Sequence, residues 1–319
     1  MPTLTVHAPD GVPEVVAGTD LAGVVHTALA GFGLADGDVV VVTSKVVSKA
    51  EGQVVDGDRE EWISREATRL VAQRGPTRIV RNRLGLTMAA AGVDGSNVPR
   101  GQVVLLPRDP DGSARALRAD LRRLAGVNVA VVVTDTAGRT WREGQTDIAI
   151  GAAGLQVLES FAGQVDEHGN DLVVTAPAVA DEIASAVELA QGKLAGRPLG
   201  VLRGRADLVL PAGEDGPGAA ALVRAEGTDL FGYGAREAVV RAVRGHRDDQ
   251  PPFGEPVPAD ALATALLRAG IDAHAPAEDA VTCPPEDAAL GAVVAYAHGW
   301  EPVPGTDPGT SLRLRPSTP

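Results

Sequence analysis

Cysteine is nearly absent: Cys283 is the only one in 319 residues. A single thiol excludes an intrachain disulfide and a cysteine-based zinc cluster, and nothing in it points to secretion. Positive charge is also scarce. The net charge is −13 and the isoelectric point about 4.9, which argues against a nucleic-acid partner. It says little about small anionic ligands, because a metal ion and a few local cations reverse the field at one site. No apolar run approaches the ~20 residues of a membrane span. No charged-then-apolar leader opens the sequence. A cytoplasmic protein with no membrane partner is therefore expected. Two phosphate-binding signatures are missing as well. There is no G-x-x-x-x-G-K-[ST] loop and no G-x-G-x-x-G turn after a strand, so neither a P-loop nor a Rossmann reading applies.

Lysine is the most informative scarcity. Of 29 basic residues only three are lysine, Lys45, Lys49 and Lys193, and the rest are arginine. Against that background they mark positions where a compact ammonium on a flexible stem is required.

The residues that are present describe a globular chain. Hydrophobic residues make up 44% and mean hydropathy is +0.03, and the length admits one large core or two domains. Val39 to Val42 and Val129 to Val133 are continuous apolar runs, as in strands buried on both faces. Helical patterns run from Leu21 to Leu29 and from Val179 to Leu189. Another helix is expected after Asp111, with Ala114, Leu117, Leu121 and Leu124 on its apolar face and arginines opposite. Asp58 and Glu61 resemble a capping box, followed by Ile63, Ala67, Leu70 and Val71 at helical spacing. The pattern is mixed α/β over residues 1–246. Residues 247–319 read as a Pro- and Asp-rich linker, then a small helical appendage whose tail from Glu301 is poorly ordered.

Several polar turns follow apolar strands directly: Ser44 to Lys49, Asp94 to Asn97, Asp135-Thr136 and the loop at Lys193. If those strands share a sheet, the turns converge at its carboxyl end, where open α/β sheets place ligands. The groups suit a metal-phosphate site. Asp94 and Asp135 offer the hard oxygens that Mg²⁺ or Mn²⁺ prefer, and Thr136 adds a hydroxyl. Ser44 and Asn97 can donate hydrogen bonds, and Lys49 meets phosphate as a point charge. Plainer readings compete: Asp135 as a turn cap, Asp94 as a turn residue, Lys49 as a solvated lysine. Arg139 and Arg142 either bind an anionic substrate or pair with Asp147. His168 reads as a loop residue, and Trp62 and Trp300 as structural.

Five ordered motifs resemble one family, the coenzyme F420:L-glutamate ligases. They are G-V-P-E (Gly11 to Glu14), S-K-V-V-S-K-A-E-G (Ser44 to Gly52), A-A-G-V-D-G-S-N-V (Ala90 to Val98), T-D-T-A-G-R-T-W-R-E-G-Q-T-D-I-A-I-G (Thr134 to Gly151) and V-A-D-E-I-A (Val179 to Ala184). The resemblance covers about residues 3 to 245, as a single-domain form similar to the N-terminal half of the actinobacterial two-domain enzyme. It implies an unusual α/β gamma-glutamyl-ligase fold. It implies a GTP-hydrolysing ligase that joins L-glutamate to the deazaflavin F420 precursor through an acyl phosphate, with Mg²⁺ or Mn²⁺, K⁺ and a homodimer. By position it implies Asp94 and Asp135 on a first metal and Thr136 on a second, with Asp94, Asp135 and Lys49 as the catalytic set. Ser44, Lys49 and Asn97 would contact GTP. So would the turn Val12, Pro13, Glu14 and Val15 and the loop Gln191, Gly192, Lys193, Leu194, Ala195, Gly196 and Arg197. The archaeal members carry an acid where Lys193 falls, and the tail is not the reductase domain of the actinobacterial fusion. The alternatives are a related nucleotide-dependent amide ligase acting on another phosphorylated acid, or a deazaflavin-binding protein without catalysis.

Overall fold

The computed structural model describes residues 3–225, 228–229, 231–304 and 310–317. The chain divides into two compact units. One comprises Met1–Arg69 and Gly75–Val223, the other Leu70–Arg74 and Arg224–Pro319.

The elements of the chain up to Val223 are, in order, β1 (Thr5–His7), α1 (Leu21–Ala28), β2 (Val39–Thr43), α2 (Ser44–Ala50), β3 (Val54–Asp56), α3 (Arg59–Glu66), β4 (Ala67–Arg74), β5 (Thr77–Asn82), β6 (Thr87–Ala89), β7 (Gln102–Val104), α4 (Pro110–Ala125), β8 (Ala130–Arg139), β9 (Arg142–Ala153), β10 (Gln164–Val165), β11 (Asp171–Leu172), α5 (Val179–Gln191) and β12 (Leu199–Arg203). The central sheet has the order β1-β12-β2-β8-β9. Only β2 and β8 run parallel; the other neighbours are antiparallel. One parallel pair in a mixed sheet is an α/β architecture but not a doubly wound one.

The valine runs form the middle strands because both sheet faces are covered. Val39 to Val42 and Val131 to Val133 are fully buried. Alternate side chains leave opposite faces of a strand. Val40, Val42, Val131 and Val133 pack with Val25 of α1 and Leu117 and Leu121 of α4. Val39, Val41 and Val132 pack with Val179, Ile183 and Val187 of α5. Helix α4 is capped by Asp109 rather than by Asp111, two residues earlier than expected. The Asp111 carboxylate instead accepts from the backbone amides of Ala152 and Ala219.

Between α2 and α4 the chain builds a smaller layer, from the β3–β7 pair and the sheet β4-β5-β6, around Ile63, Val80, Val93, Val103 and Leu105. The helical spacing read through Ala67, Leu70 and Val71 is a correction. Helix α3 ends at Glu66 and the chain continues as a strand, with alternating burial from Ala67 to Val71. Four apolar residues fit either period over so short a span.

The second unit contains α6 (Ala235–Arg244), α7 (Ala259–Arg268), β13 (His274–Ala277), β14 (Ala280–Cys283), α8 (Ala288–Ala297), β15 (Trp300–Pro302) and β16 (Leu312–Pro316). The expected helical appendage therefore also carries an antiparallel sheet, β13-β14-β16-β15. Its core comprises Leu262, Leu266, Ile271, Val281, Leu314 and the buried Trp300. The expected division at residue 246 falls within this unit, which begins at Arg224 and includes α6. The Pro-rich segment does not behave as a linker: it forms short 3-10 turns at Arg247–Asp249 and Pro251–Phe253, and Phe253 sits edge-on to Tyr233 and Tyr296 at 5.3 and 5.5 Å. Past Glu301, β16 is paired on both sides. Residues 305–309 and 318–319 of the tail lie outside the described set. Among the described residues no helix is long and apolar enough to cross a membrane.

Candidate active site

Strands β2 and β8 run side by side to the same level, Thr43 opposite Thr134. Their carboxyl ends then diverge. β2 turns directly into α2 at Ser44, while β8 continues to Arg139 and returns as β9. Two runs buried in the core thus deliver Ser44, Lys45, Asp135 and Thr136 to one edge of the sheet.

The two expected metal ligands are held by consecutive residues of α2. Ser44 Oγ donates to Asp135 Oδ1 at 2.9 Å. Lys45 Nζ stands 2.6 Å from Asp94 Oδ2 and donates to Ser96 Oγ at 2.7 Å. Asp94 is pinned through its backbone to Val104 and accepts from Ser96 N and Ser96 Oγ at 2.7 and 2.8 Å. The turn role and the site role of Asp94 therefore coexist. Burial works against its charge, but the hydrogen bonds from Lys45 and Ser96 prevail and hold its carboxyl below the usual range. Asp135 behaves oppositely. Burial pushes its carboxyl up to about 6, helped by the charges of Asp147 and Asp94 and opposed by the Ser44 hydrogen bond. The two acids are linked through neighbouring residues of α2, Ser44 to Asp135 and Lys45 to Asp94.

Thr136 leaves the other face of β8. Its Oγ1 donates to Asp147 Oδ1 at 2.7 Å and accepts from Lys193 Nζ at 2.6 Å. Thr134 Oγ1 also donates to Asp147, at 3.3 Å. The loop carrying Lys193 starts where α5 ends at Gly192, whose φ of +65° suits glycine. Its far end is tied by Arg197, whose Nε donates to Asp10 Oδ1 at 2.7 Å. Asp10 precedes the Val12 to Val15 turn, and in that turn Glu14 Oε1 accepts from Lys49 Nζ at 2.6 Å. The contacts close a ring: Ser44 to Asp135, Thr136 to Lys193, Arg197 to Asp10, Glu14 to Lys49, and back along α2. Lys49 and Lys193 lie in it, and Lys45 stands beside it on Asp94 and Ser96. A cleft of about 590 Å³ adjoins the turn, lined by Asp10, Gly11, Pro13, Asp20, Val24 and Thr27 among others.

Not every candidate converges. Arg139 and Arg142 pair with each other in register at the hairpin tip. Arg139 Nη2 donates to Glu143 O at 2.7 Å, and Asp147 meets Thr134, Thr136 and Lys193 instead. Asn97 is exposed with φ +57°. Leu194 is fully exposed and Gln191 buried. Sequence reasoning gives neither Lys45 nor Asp147 a defined role in the site. The scarcity of lysine pointed to the first. The T-D-T spacing, which puts Thr134 and Thr136 on one strand face, was the signal for a shared acceptor.

Among the described residues no three carboxylate, imidazole or thiol groups form a ready-made metal cage. The α2 face nevertheless fits a hard cation. Asp135 is a buried carboxylate beside two further negative groups, with a hydroxyl rather than a cationic side chain as its partner. Each face already carries an ammonium, Lys45 on Asp94 and Lys193 on Thr136, which a bound cation would displace.

Strand ends that gather carboxylates, hydroxyls and ammonium groups define the class first: an α/β protein with a site suited to small charged molecules. The sequence model of the F420-0:Gamma-glutamyl ligase family matches residues 11–74 and 59–204. A coenzyme F420:L-glutamate ligase of Methanopyrus kandleri is 39% identical over 256 residues, 72% of this chain and 98% of that protein. Enzymes of the same name from Methanothermobacter thermautotrophicus and Archaeoglobus fulgidus are each 36% identical, over 61% of this chain and 86% and 85% of theirs. The chain belongs to the F420-0:Gamma-glutamyl ligase family, and by class it is a ligase.

Proposed function

We propose that this protein joins L-glutamate to the carboxylate of a deazaflavin F420 precursor by an amide bond, using GTP through an acyl phosphate. The observation that carries this reading is the ring of contacts. It ties together four segments that, Asp10 apart, lie within the matched span 11–204. The whole of the first relative is covered but for a few residues.

A carboxylate is a poor electrophile and must be activated. Its oxygen takes the γ-phosphoryl group, GDP leaves, the glutamate amine displaces phosphate from the acyl carbon, and an amide remains. Such chemistry asks the protein chiefly for positioning and charge neutralisation. Asp94 and Asp135 would hold Mg²⁺ or Mn²⁺, which supplies the neutralising charge between two anions. Ser44 keeps Asp135 oriented toward that place. Lys49 exchanges its Glu14 partner for a phosphate oxygen when nucleotide enters. The turn 12–15 and the loop 191–197, joined through Asp10 and Arg197, line the nucleotide, and the adjoining cleft has room for its base. No covalent nucleophile is required, consistent with a lone, buried Cys283. The reading includes a cytoplasmic homodimer aided by K⁺.

Incubation of the purified protein with precursor, GTP, Mn²⁺ and glutamate is expected to give a product heavier by one glutamyl residue. GTP-dependent phosphate release with a different acceptor, and none with the precursor, would instead favour the related amide ligase.

A further inference from the structure

Residues other than glycine seldom adopt positive φ, because the Cβ then crowds the following carbonyl. Among the described residues Ala90, Ala91, Asn97 and Trp141 do so, and the first three fall within four residues of Asp94. Ala90 and Ala91 both stand at φ +56°, and Gly92 follows at +79°. They make a left-handed turn, closed by Val93 N on Ala90 O at 2.9 Å, that carries the chain from the end of β6 to Asp94. The turn is packed rather than loose. Ala91 and Val93 are buried with Ile63, Val80, Val103 and Leu105. Backbone strain of this kind persists only where the surroundings over-determine it.

One buried side chain does so here. Asn82, the last residue of β5, is 2% exposed. Its Oδ1 accepts from the amides of Leu84 and Leu86 at 3.0 and 3.1 Å. Those two donors settle which end of the side chain is oxygen. Nδ2 therefore faces the Ala91 carbonyl, to which it donates at 3.3 Å, and Met88 Sδ at 3.6 Å. Both donors and both acceptor positions of the amide are used. The side chain thus joins the β5–β6 turn to the middle of the left-handed one. Three residues beyond Ala91, Asp94 is tied by its backbone to Val104 and by its carboxylate to Lys45 and Ser96. We propose that Asn82 is a positioning residue: it holds Ala91 in its left-handed state and so fixes where Asp94 presents its carboxylate to a cation. This rests on the divalent-cation reading above.

Two substitutions attack the link from its two ends. Asn82→Asp keeps an oxygen for Leu84 and Leu86 but turns the donor facing Ala91 O into an acceptor. Ala91→Gly removes the steric cost of the turn, because glycine takes positive φ freely. Full-length wild type, both single variants and the double variant are titrated with Mn²⁺ alone, the free ion being read by electron paramagnetic resonance. Hydrogen exchange is followed in peptides covering 88–98 and 39–43. Asn82→Asp is expected to weaken Mn²⁺ binding about tenfold, the equivalent of one hydrogen bond. It should speed exchange in 88–98 and leave 39–43 unchanged. Ala91→Gly should bind within about twofold of wild type, and the double variant should recover to within about threefold. An asparagine that merely stabilises the fold would show no such rescue. Unchanged Mn²⁺ affinity in Asn82→Asp would overturn the proposal, as would a double variant no tighter than Asn82→Asp. Should Asn82→Asp fail to fold, the double variant decides: near wild-type affinity supports the proposal, and loss of folding or of binding overturns it. If wild type bound no Mn²⁺, the cation reading would fall, and the exchange comparison alone would decide whether Asn82 holds the turn.

Discussion

Replacing Asp135 by Asn separates what the site requires from what the fold prefers. The carboxyl of Asp135 is raised from 3.8 to about 6 by burial and by the charges of Asp147 and Asp94. A carboxyl with a raised value in the folded state binds protons more tightly there than in the unfolded chain. Its charge therefore penalises folding above about pH 6, and the penalty disappears as pH falls below about 4. The difference corresponds to at most about 3 kcal/mol at neutral pH. Asn keeps an oxygen to accept the Ser44 proton and discards the charge. The variant without metal is thus expected to melt several degrees higher than wild type at pH 7.5, given ~2–4 °C per kcal/mol for a unit of this size. The gain should vanish by pH 4. Turnover should fall by at least a hundredfold, and the thermal shift that Mn²⁺ gives wild type should be lost. Differential scanning calorimetry with and without Mn²⁺ checks both halves. A variant that melts lower than wild type at pH 7.5, or that keeps its Mn²⁺ shift, would refute the reasoning.

Lys49→Met is expected to raise KM for GTP roughly ten- to a hundredfold, the loss of one charge-assisted hydrogen bond; steady-state kinetics showing a change under twofold would remove Lys49 from the phosphates. Arg118 is buried and donates to Val129 O, Glu214 O, Leu210 O, Pro211 O and the side chains of Asn128 and Asp215. Arg118→Ala should therefore cost about 3 kcal/mol or more in chemical denaturation, because several buried acceptors lose their donor together. Cys283 is 2% exposed, and burial together with the Asp287 charge raises its thiol. It should react with a thiol reagent only when the chain unfolds, so modification kinetics in native buffer should show no fast phase.

Much of the fold was legible where local pattern and tertiary demand coincide. Val39 to Val42 admits little but a strand covered on both sides; the polar turn expected after it is helix α2, which starts at Ser44 at the strand's carboxyl end. Legibility failed where short apolar spacings serve two periods, as at Ala67 to Val71, a strand that reads as helix. It failed again from Arg247 onward, where proline and aspartate suggested a linker. There Phe253 packs with Tyr233 and Tyr296, and β16 pairs across residues that are distant in sequence. Composition does not report such pairings.

The sequence by itself determined the order of chemical groups: a lysine pair after β2, an acid after Ala91-Gly92-Val93, threonines flanking an acid at the end of β8, and a third lysine past α5. Local residue chemistry and strand periodicity require nothing beyond neighbours along the chain. Only the tertiary structure decided which oxygen each ammonium meets. Lys45 went to Asp94, Lys49 to Glu14 and Lys193 to Thr136 because the parallel register of β2 and β8 brings their ends level. The alternation of β8 then puts Asp135 and Thr136 on opposite faces, so that neighbours one bond apart in sequence answer to different partners in space.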